Sequence, residues 1–118
     1  MSQSVLKEKS YTFALRIVKL CRYLVERKRE FVLSKQVLRS GTSIGANIEE
    51  AFQAQSNADF IAKLSISLKE SFETNFWLRL LRDGEYLNEK EAVSILSDCE
   101  ELQKLLTTSI KTAKLSDK

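Results

Sequence analysis

Four glutamates and an arginine are the first residues whose types and spacing invite chemistry. Glu49 and Glu50 stand in one apolar-periodic segment and Glu70 and Glu73 in the next, with Arg39 and Lys69 at compatible positions. Glu70 and Glu73 are three residues apart and so share a helix face. Arg39, Ser43, Asn47 and Glu50 fall within one arc of the preceding helix. Carboxylates on facing helices can bind a metal or divide the roles of acid and base. The chain holds no histidine. That excludes Ser-His-Asp and Cys-His nucleophilic sites, His-containing zinc sites and the Glu-x-x-His di-iron motif. A metal site at Glu50, Glu70 and Glu73 has to be all-oxygen, which suits magnesium or manganese. The competing reading, and the one adopted, is an arginine–carboxylate network at a helix or subunit contact, with no metal, no cofactor and no catalytic residue. Cys21 and Cys99 are isolated and sit on inward stripes, so they read as core residues rather than reactive thiols. Gly41-x-x-x-Gly45 lacks the Gly-Lys-Ser/Thr ending of a phosphate loop.

A second group is basic. Arg16, Lys19, Arg22 and Arg27 recur at three- to five-residue spacing on the polar arc of the first helix, and Lys28, Arg29 and Lys35 extend them. Cations at such intervals can follow a phosphate backbone, and Tyr23 adds an aromatic platform for an unpaired base. A solvated helix face is the plainer reading. The formal charge is only +3, but it is unevenly spread. Residues 1–48 carry ten basic and three acidic side chains, and residues 49–118 carry nine and thirteen. The asymmetry suits an anionic partner or attraction between the two halves.

The elements that must position these residues are helices. The 118 residues fit one domain, residues 1–118. No proline and three glycines leave too few turn residues for a β-sandwich or a doubly wound fold. Apolar spacing of three to four predicts helices over about residues 8–28, 34–55, 57–83 and 88–114. Ser34 and Ser56 are candidate N-caps, Asn88 with Glu91 makes an approximate capping box, and Gly84 suits a left-handed helix end. Val37, Gly41, Ile44, Ile48, Ala51 and Gln55 form the second helix's inward stripe; Leu64, Leu68 and Phe72 lie on the third's; Ala92, Ile95, Leu96, Cys99, Leu102, Leu106 and Ile110 form the fourth's. Gly41 and Gly45 each cost roughly 1 kcal/mol in a helix interior, which implies either a close approach to a neighbour or a kink near Ser40–Ser43. Short loops between long helices imply an all-α, antiparallel up-down-up-down four-helix bundle. Apolar surface remains beyond what such a monomer buries. Ile66, Trp77, Leu80 and Leu81 are therefore expected at a subunit interface, with a wide, irregular core as the alternative. Two unpaired cysteines, no signal peptide and no long apolar run read as a reduced, cytoplasmic chain without membrane contact.

Two segments together resemble a known family. Val37-Leu38-Arg39-Ser40-Gly41-Thr42-Ser43-Ile44-Gly45-Ala46-Asn47-Ile48-Glu49-Glu50-Ala51 is similar to the signature of the 23S rRNA intervening-sequence proteins. So is the stretch Asp59-Phe60-Ile61-Ala62-Lys63-Leu64-Ser65-Ile66-Ser67-Leu68-Lys69-Glu70, continuing through Glu73-Thr74 and Trp77-Leu78. The resemblance covers nearly the whole chain. It implies a bacterial four-helix bundle that assembles into a ring-like homopentamer. Some members are encoded inside insertions in 23S ribosomal RNA genes. A related branch holds the accessory protein of diversity-generating retroelements, a basic pentamer that works with a reverse transcriptase. No enzymatic activity is attached to the family. Its motif positions map here to Arg39, Ser43, Asn47, Glu50, Glu70 and Glu73, with a structural role. This chain, at +3, departs from the marked basicity of the retroelement branch.

The combined expectation is a non-enzymatic homo-oligomeric bundle that binds RNA or DNA, or acts as accessory to a nucleic-acid enzyme, through Arg16, Lys19, Arg22, Arg27, Lys28, Arg29 and Lys35. The alternative is a protein–protein interaction scaffold with no nucleic-acid affinity.

Overall fold

Long amphipathic segments separated by five or six residues fold here as four helices. The computed structural model describes residues 3–116, with α1 Gln3–Glu26, α2 Leu33–Ala51, α3 Asn57–Asp83 and α4 Glu89–Ser116. Among the described residues there is no strand, and the body measures 50 × 22 × 20 Å. Ser10 and Ile17 lie beside Gly45 and Gly41. Ser67 and Thr74 bond to Ile44 and Ser40. Asn57 bonds to Ala113 near one end of the α3–α4 contact and Ser71 meets Gln103 further along. The contacts between α1 and α4 are the sparsest of the four adjacent pairs. No described helix is long and apolar enough to cross a membrane.

The core is aliphatic, built on Ile17, Leu24, Ile44, Ile48, Leu64, Leu78, Leu81, Leu102 and Leu106. The predicted α4 stripe is buried along its whole length. Gln55, placed on the α2 stripe by its spacing, lies instead in the exposed α2–α3 loop, because α2 ends at Ala51. The α3 stripe differs as well. Phe72 is 56% exposed, and the inward line is Leu64, Ser67, Ser71, Thr74, Leu78 and Leu81. The Ser67 hydroxyl donates to the Ile44 carbonyl at 2.8 Å, and the Ser71 hydroxyl donates to that of Leu68 at 2.6 Å. The Thr74 and Ser40 hydroxyls pair at 2.9 Å. Each small polar group is satisfied, so its burial carries little penalty and the helices can approach closely.

α2 is unbroken through both glycines. A Cβ on Gly41 would stand 2.9 Å from Ile17 Cγ1, whereas one on Gly45 would meet its nearest atoms, in Ser10, at 3.4 Å. Gly41 is therefore the close approach that offsets a glycine's helix cost, and the helix does not break near Ser40–Ser43. Gly45→Ala should gain up to about 1 kcal/mol of helix propensity. Gly41→Ala collects the same gain but overpacks the buried Ile17, at about 1–3 kcal/mol. Paired denaturant titrations should then show the first variant equal to or above the parent and the second below it.

Two caps form as the spacing predicts. Asp59 N donates to Ser56 Oγ at 3.0 Å, and Glu91 N to Asn88 Oδ1 at 2.8 Å. Two helix ends do not. Gly84 keeps φ −81°, and it is Glu85, at φ 69°, that takes the left-handed position. There Glu85 N donates to Arg82 O and Tyr86 N to Leu81 O, the pair of hydrogen bonds that closes a Schellman end. Ser34 is not a cap either. It lies inside α2, buried, and the capping group is the carboxylate of Glu30.

Candidate nucleic-acid interface

α1 stops at Glu26, so Arg27, Lys28 and Arg29 belong to the turn that follows rather than to a helix C-terminus. Arg29 adopts a left-handed backbone, φ 54°, and Glu30 N reaches back to Leu24 O at 2.9 Å. That reversal turns the Glu30 carboxylate inward. It accepts from Val32 N at 3.1 Å, Leu33 N at 2.9 Å and Ser34 N at 2.7 Å, three of the donors that a helix start leaves without partners. Burial alone would push its pKa up; the three backbone N–H donors outweigh it and hold the carboxyl below its ordinary value. The one acid in the turn is thereby consumed, and the charged side chains the turn leaves exposed, Arg27, Lys28 and Arg29, are all cations.

Those cations are free of carboxylates. Among the described residues Lys19, Arg22, Arg27, Lys28, Arg29 and Lys35 are exposed and make no ion pair. Arg16 is different. It donates to Asp98 at 2.7 Å and to Ser94 at 2.9 Å, tying α1 to α4 across the sparse seam. The expected basic arc is therefore shortened at Arg16 and displaced towards the turn, where Phe31 and Val32 are also exposed.

The carboxylates are brought together only in part. Arg39 reaches Glu70 at 3.3 Å and also pairs with Glu73, which accepts from Trp77 Nε1 at 2.9 Å. Glu50 pairs separately with Lys63 at 3.1 Å. Ser43 and Asn47 bond to carbonyls of α2 itself, those of Arg39 and Ser43. Among the described residues no three carboxylates, cysteines or histidines are placed to hold a metal ion. The network lies on the α2–α3 surface and joins those helices. Exposed pairs of this kind contribute about 0–1 kcal/mol each.

The expected interface residues divide. Ile66 and Leu80 are exposed and Trp77 is partly buried against the core, but Leu81 is fully buried. Leu81 is thus a core residue, because the α3 line that reaches the core passes through Ser67, Ser71 and Thr74 rather than through Phe72. Phe72 and Phe76, not assigned to this face by spacing, are exposed beside Ile66 and Leu80. Both cysteines are buried and unpaired. Burial, helped by the Glu30 charge, pushes the Cys21 thiol up to about 11; burial, helped by Glu100 and Asp98, pushes Cys99 up to about 12. Neither is a nucleophile at neutral pH.

Residues 3–108 match the family model described as 23S rRNA-intervening sequence protein. A crystal structure of a protein of unknown function from the S23 ribosomal protein family of Bacteroides thetaiotaomicron superimposes with a TM-score of 0.93. It is 57% identical, and the match covers 94% of this chain and 99% of that one. No curated protein matches the chain.

Proposed function

Since the chain belongs to the 23S rRNA-intervening sequence protein family, we propose that it is a non-enzymatic accessory bundle that holds nucleic acid on its basic end. The observation that carries this reading is the set of six unpaired cations along the last two turns of α1, the following turn and the start of α2, with Glu30 turned away from them. Phosphates release counterions when they meet such a surface, which gives affinity without sequence preference. The antiparallel bundle assembles with further copies of the chain into a ring, five by family resemblance, in the cytoplasm. Its exposed α3 face of Ile66, Phe72, Phe76 and Leu80 supports that assembly. A ring repeats the basic end, and repeated weak sites add through multivalency.

The test is charge reversal. Arg27→Glu, Lys28→Glu and Arg29→Glu together should lower retention of RNA or DNA by at least about 100-fold at low salt. Arg16→Ala, already committed to Asp98 in the parent, should change it far less. Retention that survives the triple change contradicts the basic-end reading. It favours a protein-interaction scaffold, for which the same apolar α3 face is the specific support.

A further inference from the structure

Two aromatic rings stand at the basic end outside the core. Tyr23 is 37% and Phe31 47% exposed. Each carries a cation beside its face. Lys28 Nζ lies 6.0 Å from the Tyr23 ring centre, and Arg29 Cζ lies 5.3 Å from that of Phe31. Tyr23 also walls a surface cleft of about 410 Å³ together with Lys28, Glu85, Tyr86, Asn88 and Glu91. Resting on the nucleic-acid reading above, we infer that the partner is an unpaired strand, with bases stacking on Phe31 and in the Tyr23–Tyr86 cleft while its phosphates lie on Arg27, Lys28, Arg29 and Lys35.

Three physical points favour a single strand over a duplex. A duplex keeps its bases stacked inside and offers this end only phosphate, which leaves Phe31 and Val32 in water with nothing to cover them. An unpaired base has a free face for each ring, and such stacking is tolerant of sequence. The cleft itself selects bases over phosphates. Glu85 and Glu91 on its wall repel phosphate but can accept from the exocyclic amines of a base. Each ring also has a cation beside it, Lys28 at Tyr23 and Arg29 at Phe31, so a base on the ring has a counter-charge at hand for its phosphate.

The experiment compares a labelled single-stranded RNA of about twelve nucleotides, within the usual site size, with a blunt duplex carrying the same number of phosphates. The single strand should bind at least about 10-fold more tightly, and Tyr23→Ala and Phe31→Ala should each weaken it by about 5- to 100-fold. Phe31→Trp should keep the affinity, and far-UV circular dichroism should be unchanged in all three variants. Equal affinity for strand and duplex, with both alanine variants silent while the triple charge reversal still abolishes binding, overturns the single-strand inference and leaves the nucleic-acid reading standing. No binding to either nucleic acid overturns both. Capture by phosphatidylserine vesicles, lost in Phe31→Ala, would then assign the end to an anionic lipid surface.

Discussion

Leu81→Ala is expected to lower the stability of the bundle by about 2–5 kcal/mol, whereas Leu80→Ser should move it by no more than about 0.5 kcal/mol. The two residues are neighbours in sequence and opposite in environment. Leu81 is fully buried among the core aliphatics, and Leu80 is 39% exposed on the outer face of α3. Truncating Leu81 removes apolar contacts and leaves a cavity that rigid helices fill only in part. Truncating Leu80 removes surface that the single chain does not bury. The assembly readout runs the other way. On the proposed assembly through this face, Leu80→Ser combined with Phe76→Ser should reduce the mass in solution from oligomer to monomer without unfolding the chain. Urea titrations paired with light scattering measure both effects. A stability loss at Leu80 as large as that at Leu81 contradicts the assignment of faces on α3.

Glu30→Ala should cost about 2–3 kcal/mol, more than an ordinary N-cap substitution. Its carboxylate accepts from three backbone N–H groups at the start of α2, it is buried, and its charge meets the positive end of the helix dipole. Alanine leaves those donors without their side-chain partner, and that of Ser34 is buried. The pH dependence has a defined sign. The folded carboxyl is held below its ordinary value of 4.5. The stabilisation is therefore complete above the unfolded value and is lost as pH falls through the lower, folded one. The stability gap between the parent and Glu30→Ala should be flat from neutrality to about pH 5 and narrow below about pH 4. A gap that widens in acid contradicts the cap. The turn should also loosen, so the alanine variant is expected to bind nucleic acid more weakly although no cation has been removed.

These two predictions mark where the fold was legible and where it was not. α4 was readable because its buried residues are all apolar and keep helical spacing from Ala92 to Ile110. Ser56 and Asn88 were readable because an N-cap is a local bond over three residues. Glu30 was missed because its carboxylate reaches α2 from outside the helix, where Ser34 offered a nearer and more usual cap. α3 was only half readable. Ser67, Ser71 and Thr74 look like surface residues until their hydroxyls are matched with the Ile44 and Leu68 carbonyls and with Ser40. That shift of the inward line explains why Leu81 was expected at an interface and Phe72 in the core. The candidate site was legible in composition and not in geometry. The cationic run from Arg27 to Arg29 is plain in the sequence, but the pairing of Arg16 with Asp98, 82 residues away, has no local signal. The left-handed backbone at Arg29 and Glu85 was equally hidden, since neither position carries glycine.

The most direct test of the basic-end account is the salt dependence of binding to a single-stranded RNA, measured by fluorescence anisotropy on the parent and on the triple Arg27, Lys28, Arg29 to glutamate variant. If all six free cations meet phosphate, log K should fall against log salt with a slope of about −4, and the variant's slope should be no steeper than about −2. No binding at about 50 mM salt, or a steep slope that the triple variant leaves unchanged, would contradict the account.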